Sequence, residues 1–210
     1  MTGSSQRIGL DDYLKLLAKT ITQVHKGSGR HKQSVAESSF EAWTKYYRQD
    51  ENSPNAIVSY YTKGALVALC LDLALRRESA HSLDDVMRAL WQRWLADGQG
   101  VSETGWEALA MEVSGLDLRD FFQRALRSTD ALPLTELLAS VGVTLKHTVR
   151  DADDASRPTP PTLGVKTERD PLGWRIKCAY QDGPAQQAGL SGGDVLLALD
   201  GLRTYLLFPI

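Results

Sequence analysis

The sequence predicts a mainly α-helical domain followed by a small β domain. Over about the first 140 residues, apolar residues recur at helical spacing in several segments, with capping residues before them and glycines after them. From residue 163 the pattern changes to short runs separated by turns. An acidic, proline-rich stretch without periodicity, residues 151–161, lies between them. We therefore divide the chain into a helical domain (1–149), a linker (150–161) and a C-terminal domain (162–210).

The first half of the helical domain contains two predicted helices and one loop. Residues 10–25 carry a 3.6-residue apolar stripe, with Asp11 and Asp12 in the first turn, where acidic side chains favour a helix. Residues 30–56 are polar and irregular, which predicts a long loop packed by four aromatic side chains: Phe40, Trp43, Tyr46 and Tyr47. Residues 58–77 are apolar on almost every face, which is typical of a central core helix.

Four more helices are predicted downstream. Ser82 and Asp85 have the spacing of a capping box for the first of them. Ser102 is the predicted cap of the next helix, which ends at Gly115. Residues 117–127 form the third, and Pro133 starts a short one that ends near residue 141. We expect the tryptophans of these helices to face the core: Trp91, Trp94 and Trp106. Residues 142–149 alternate and predict a strand.

Composition limits the classes of function. A net charge of -2 over 210 residues gives no general attraction to nucleic acid or to an anionic membrane. No apolar leader begins the chain, and its apolar runs are shorter than the roughly 20 residues of a membrane span. We therefore expect no nucleic acid or membrane partner and a cytoplasmic location. The two cysteines, Cys70 and Cys178, predict buried thiols and not a disulfide framework.

The most informative motif begins the predicted core helix. Tyr61, Lys63 and Gly64 form the pattern Tyr-x-Lys-Gly within residues 57–69. The residues before it include the runs Ala-Glu-Ser-Ser (36–39) and Asp-Glu-Asn-Ser-Pro-Asn (50–55). Together these segments resemble the glycyl aminopeptidase family of zinc metallopeptidases, which belongs to the thermolysin-like superfamily. The resemblance covers most of residues 10–145 and implies that they form the helical C-terminal half of a thermolysin-like catalytic domain.

The resemblance implies a role for one tyrosine. In such enzymes a water attacks the scissile carbonyl of a peptide, and the resulting oxyanion needs a fixed hydrogen-bond donor. A phenol suits this role because it donates one strong hydrogen bond and has a reference pKa of about 10. Tyr60 lies next to Tyr61 and projects about 100° away around an ideal helix. The resemblance selects Tyr61 as the catalytic residue, and we expect Lys63 to face solvent or pair locally.

The zinc ligands of such an enzyme are not in this sequence. An enzyme of this type needs two histidines at positions i and i+4 of one helix, a glutamate between them, and a second glutamate downstream. The four histidines, at positions 25, 31, 81 and 147, include no such pair. We therefore expect zinc to serve the intact enzyme and none to be bound by this chain, which alone is predicted to be inactive. A glycine-rich turn at residues 27–32 lacks the spacing of a phosphate-binding loop.

The C-terminal domain carries a second set of motifs. Gly-Pro-Ala-Gln-Gln-Ala-Gly-Leu (183–190) is followed by Gly-Asp-Val (193–195) and Asp-Gly (200–201). In this order the motifs resemble a bacterial-type PDZ domain. The resemblance implies that Leu163, Gly164 and Val165 bind the terminal carboxylate of a peptide, with the following strand pairing to the peptide. The chain departs from the pattern after residue 201, where an apolar tail replaces the helix that forms the other wall of the groove, so we expect an incomplete domain.

The sequence leaves three readings open. The first is part of a zinc-dependent aminopeptidase that acts on the N-termini of peptides and carries the oxyanion-stabilising Tyr61. The second is a non-catalytic binding protein in which a helical domain is joined to a PDZ-like module that binds a C-terminal peptide. The third is an assembly in which a separate polypeptide supplies the zinc helix.

Overall fold

The computed structural model of the protein describes residues 8–147 and 162–204. The mainly α-helical prediction with a small β unit is confirmed. The helices of the first region are α1 (Leu10–Lys26), α2 (Val35–Phe40), α3 (Ser53–Ala56), α4 (Tyr60–Glu78), α5 (Leu83–Asp97), α6 (Gly105–Ser114), α7 (Arg119–Arg127) and α8 (Leu134–Ala139). A 3₁₀ turn (Ser28–His31) follows α1, and a π-helical turn (Ala42–Tyr46) follows α2.

Helix α4 is the central element of the helical region, as predicted. Its buried residues include Leu66, Cys70 and Leu73, which pack against α1 and α8. On another side, Leu71 and Leu75 pack against residues of α5, α6 and α7. Residues 53–78 are also long and apolar enough to cross a membrane by length and composition. Because α4 contributes to every buried cluster, its apolar character is explained by the packing of the fold.

The prediction of a loop at residues 30–56 is wrong, because this segment is largely helical. Ser34 and Glu37 form a capping box that starts α2, and Pro54 lies in the first turn of α3. These elements are too short to show a helical period in the sequence. The predicted packing is also wrong for two aromatic residues, since Phe40 is 92% exposed and Trp43 79% exposed.

The later helices match the prediction with local differences. The capping box at Ser82 is present, but Trp91 and Trp94 are exposed and stack on each other with ring centroids 4.9 Å apart. Trp106 packs on the core. Helix α6 is capped at Thr104 instead of Ser102, and Pro133 precedes α8 as its cap.

The predicted strand at 142–149 is not formed over 142–147, and residues 148–149 lie outside the described ranges. Val143 and Leu145 instead pack against the cluster of α1, α4 and α8. The alternation of the sequence therefore reflects side chains that pack on the helical core, and within 142–147 it does not reflect a strand. The whole predicted linker, residues 150–161, also lies outside the described residues.

The β unit is small. Strands β1 (Val165–Asp170), β2 (Gly173–Ala179) and β3 (Val195–Leu196) form an antiparallel sheet in that order, and β4 (Ala198–Leu199) pairs with β5 (Leu202–Arg203). A short helix, α9 (Pro184–Gln187), separates β2 from β3. Both cysteines are buried and unbridged, as predicted.

Side-chain hydrogen bonds join the two regions, and Asn55 makes two of them. Asn55, at the end of α3, is 3% exposed. Its amide nitrogen donates to the carbonyl of Ala179 at 2.8 Å, and its amide oxygen accepts from the backbone N–H of Gln181 at 2.9 Å. The side-chain oxygen of Gln181 in turn accepts from the Ser28 hydroxyl at 3.2 Å. The β unit thus docks on the segment that leads into α4.

Candidate active site

The segment before α4 is held by side chains from two sides. The backbone N–H of Val58 donates to the Gln33 side-chain oxygen at 3.1 Å. The Val58 carbonyl accepts from the Ser38 hydroxyl at 2.5 Å. Gln33, Ser38 and Val58 are all buried. Because side chains bind both the backbone N–H and the backbone carbonyl of Val58, the entry into α4 is fixed in place.

The first turn of α4 is fixed by its cap. The Ser59 hydroxyl accepts from the backbone N–H of Thr62 at 3.2 Å. The Tyr46 hydroxyl lies 3.1 Å from the same Ser59 oxygen. Tyr46 ends the π-helical turn, so this turn and the N-terminus of α4 are tied together. Single π-helical turns are frequent at functional sites.

Three tyrosine hydroxyls form a chain beside this cap. The hydroxyl of Tyr47 lies 3.1 Å from that of Tyr60 and 3.1 Å from that of Tyr61. The rings of Tyr60 and Tyr61 are stacked, with centroids 4.4 Å apart. The separation of about 100° expected from an ideal helix therefore does not keep these side chains apart, since their rings turn toward a common partner. We call Tyr46, Tyr47, Tyr60 and Tyr61 the tyrosine cluster.

The cluster presents Tyr61 at the surface of the described chain. Tyr61 is 59% exposed, while Tyr60 and Tyr46 are half-buried. Trp43 packs on the ring of Tyr47, with centroids 5.2 Å apart. Neighbouring rings thus restrict the Tyr61 side chain, and its hydroxyl stays accessible. The sequence had indicated Tyr61, but not that Tyr47 binds it; the adjacent pair at positions 46 and 47 was the available signal.

Hydrogen bonding moves the pKa values of two hydroxyls in opposite directions. The pKa of Tyr61 is lowered, first by the hydrogen bond with Tyr47 and then by that with Tyr60. The pKa of Tyr60 is raised above its usual range, again mainly by the hydrogen bond with Tyr47. Hydrogen bonding with Tyr47 therefore favours the charged form of Tyr61 and the neutral form of Tyr60.

Lys63 differs from expectation, and Gly64 is open. Lys63 was expected to face solvent or pair locally; instead it is 3% exposed, and its ammonium has no hydrogen-bond partner among the described residues. A Cβ at Gly64 would meet no atom within 4 Å, so the described chain makes no close approach there.

The described residues hold no group of three or more His, Cys, Asp or Glu side chains that fits a metal ion. His25 stacks on His147, with centroids 5.2 Å apart, at the end of α1. His31 is exposed on the 3₁₀ turn, and His81 is exposed before α5. These side chains do not fit the ligand set of a catalytic zinc.

The glycine-rich turn at residues 27–32 has a packing role. A Cβ at Gly27 would lie 2.2 Å from the Pro54 carbonyl oxygen, and one at Gly29 would lie 2.1 Å from the Ile57 carbonyl oxygen. Only glycine allows this approach of two backbones. The turn therefore supports the segment that enters α4.

The predicted carboxylate-binding residues lie in a loop that starts β1. Gly164 has a φ of 67°, and its backbone N–H donates to the Thr162 hydroxyl at 3.1 Å. The carbonyls of Leu163 and Gly164 accept from Ala185 and Tyr180, each at 2.9 Å. Val165 begins the strand, opposite Ala179. The structure brings these three residues together beside α9.

Comparison with known proteins identifies the relatives. Residues 1–67 match the family model of the M61 glycyl aminopeptidases. A crystal structure of an aminopeptidase N family protein from Idiomarina loihiensis is 40% identical and superposes with a TM-score of 0.85. The match covers 96% of this chain and 36% of that protein, so the chain spans about a third of the length of its relative. Among the curated proteins, no relative matches.

Proposed function

We propose that this chain, which is an M61-type metallopeptidase segment, supplies Tyr61 as the hydrogen-bond donor to the oxyanion formed in aminopeptidase hydrolysis of a peptide. The observation that carries this proposal is the contact of the Tyr47 hydroxyl with both Tyr60 and Tyr61 at the exposed start of the core helix. A donor in a fixed position is effective because it needs no reorganisation when charge develops.

In this proposal the chain of hydroxyls has an order of donation. A hydroxyl has one hydrogen to donate, so Tyr47 can donate to at most one of these two neighbours. A raised pKa for Tyr60 and a lowered pKa for Tyr61 fit donation from Tyr60 to Tyr47 and from Tyr47 to Tyr61. The hydrogen of Tyr61 is then free for the substrate. Such chains polarise their members and strengthen the last donor.

The catalytic metal belongs to other residues in this proposal. The described chain holds no fitting ligand cluster, so zinc and its ligands are assigned to the part of the enzyme outside the described residues. The substrate is the N-terminus of a peptide, with a small first residue preferred; this preference follows from the resemblance to glycyl aminopeptidases. Tyr61 acts only on the carbonyl oxygen.

The test is Tyr61→Phe in the full-length enzyme that carries this chain. We expect kcat to fall by roughly 100- to 1,000-fold, as for the loss of one oxyanion donor, with zinc content and fold unchanged. Tyr60→Phe is the matched control; it removes a neighbouring hydroxyl that has no contact with the substrate in this proposal, and we expect a fall of about tenfold or less. Unchanged turnover in Tyr61→Phe would rule out the assigned role.

We propose a second function for the β unit, the binding of a peptide C-terminus at the loop of Leu163, Gly164 and Val165. The supporting observation is that β1 is at the edge of the described sheet, whose order is β1-β2-β3. An extended peptide can add to such an edge. Titration of the chain with peptides ending in a free apolar residue should give saturable binding that amidation of the C-terminus abolishes. Equal binding of both forms would contradict this function.

A further inference from the structure

A cavity lies beside the buried amine of Lys63. It is formed where the end of α1, the 3₁₀ turn, α4 and the loop before α8 meet, and its volume is about 220 Å³. Its lining includes Arg30, Lys63, Leu66 and Leu132. This space is sufficient for several water molecules or a small organic ligand. We call it the cationic pocket.

Two buried nitrogen atoms of its cations lack hydrogen-bond partners within the described residues. The Nζ atom of Lys63 and one terminal nitrogen of Arg30 are buried, and neither has a hydrogen-bond partner there. Lys63 is 3% exposed, so water outside the fold does not solvate its amine. Buried charges are normally paired, and an unpaired one is expensive to maintain. The two donors therefore leave an unfilled requirement for an anion.

The charges around the pocket leave a positive balance. Asp130 is the lining acid, and its carboxylate already accepts from Arg124 at 3.4 Å. His25 and His147, stacked on each other, and His31 also face the pocket. The pKa of Lys63 is lowered, first by burial and second by Arg30, while Asp130 acts in the opposite direction. An anion between Lys63 and Arg30 would offset both the cost of burying the charged Lys63 amine and its repulsion by Arg30.

The remaining lining is apolar. Val24, Leu66, Leu132, Leu134 and Leu145 contribute side chains from α1, α4, α8 and the segments next to it. A phosphate ion has no apolar part to place against such residues. An organic acid with a short hydrocarbon body satisfies both portions of the lining.

We propose that the cationic pocket binds a small aliphatic carboxylate, with its carboxylate between Lys63 and Arg30 and its hydrocarbon body against the leucines. The guanidinium of Arg30 offers paired donors of the geometry that carboxylates prefer. The ammonium of Lys63 adds a point charge. This inference does not depend on the role of Tyr61.

The test is a titration of the 210-residue chain with isovalerate, followed by NMR of the leucine methyl groups and by thermal unfolding. We expect saturable shifts of Leu66 and Leu132 and an increased melting temperature. Acetate should bind at least about tenfold more weakly, because each buried CH₂ group contributes roughly fourfold to affinity. Isovaleramide, which has a similar shape and no charge, should give no saturable shift.

Protein variants complete the test. Lys63→Met keeps the length of the side chain and removes the charge, and it should lose isovalerate binding; Arg30→Gln should weaken binding as well. Lys19→Met, which removes an exposed lysine of α1, is the control and should bind as the original chain does. Binding of isovaleramide equal to that of isovalerate, or no difference between acetate and isovalerate, would overturn the proposal. So would full binding in both Lys63→Met and Arg30→Gln.

Discussion

The tyrosine cluster and the cationic pocket lie at the same end of α4 but satisfy their polar groups in opposite ways. In the tyrosine cluster, the hydroxyls of Tyr60 and Tyr61 each contact that of Tyr47, and Tyr61 remains exposed. In the cationic pocket, the amine of Lys63 is buried without a partner in the described residues. One residue, Thr62, separates Tyr61 from Lys63 along the chain.

This difference shows how one turn of helix supports two kinds of site. A cluster whose members bind each other is ordered before any ligand arrives, which suits a group that must stabilise a transition state. A pocket whose cations are unpaired gains most when an anion enters, which suits recognition. Substitutions near the start of α4 can change one of these sites alone or both together.

The largest effect on stability is expected for Gly29→Ala. A Cβ at this position would lie 2.1 Å from the Ile57 carbonyl oxygen, so the backbone that enters α4 must move. Overpacking of this kind costs about 1–3 kcal/mol. Because the 3₁₀ turn also carries Arg30, we expect both the tyrosine cluster and the cationic pocket to be disturbed. Denaturant unfolding and NMR shifts of both sites measure this; native shifts at both would contradict the packing role of the turn.

Gly64→Ala is the matched substitution with the opposite sign. Gly64 follows Lys63 in α4, and an added Cβ would meet no atom within 4 Å. Alanine is favoured over glycine inside a helix, so we expect a gain of about 0.5–1 kcal/mol in the free energy of unfolding. Neither site should change. A loss of stability would show that another part of the protein approaches this glycine closely.

The smallest effect on stability is expected for Tyr47→Phe, which should change the tyrosine cluster alone. The substitution removes the hydroxyl that is the main cause of the lowered pKa of Tyr61, so that pKa should rise toward its ordinary value. Tyr61 donates only when protonated. The alkaline limb of kcat in the full-length enzyme should therefore move to higher pH, and tyrosinate absorbance should move with it. An unmoved limb would separate Tyr47 from the function of Tyr61.

The long helices were predictable because their patterns are long. The stripe of α1 and the apolar faces of α4 extend over several turns, and the capping box at Ser82 marks the start of α5. Helices of four to six residues between α1 and α4 give too few repeats to establish a period. Their order comes instead from contacts at a distance, such as that of Gln33 with Val58.

The site was predictable only in part. Resemblance to a family indicated Tyr61, and the adjacent tyrosines were visible in the sequence. The contact of Tyr47 with both Tyr60 and Tyr61 depends on the π-helical turn, which has no signature in the sequence. The burial of Lys63 was missed because lysine is almost never fully buried, and only tertiary packing decides the exception.

The central claim is that Tyr61 stabilises the transition state more than the substrate. The direct measurement compares the full-length enzyme and its Tyr61→Phe variant in two ways: kcat/KM for a peptide, and the affinity of the same peptide with a tetrahedral phosphinate in place of the scissile amide. The account predicts that both fall by the same factor, with KM nearly unchanged. A fall in kcat/KM with undiminished affinity for the phosphinate would contradict it.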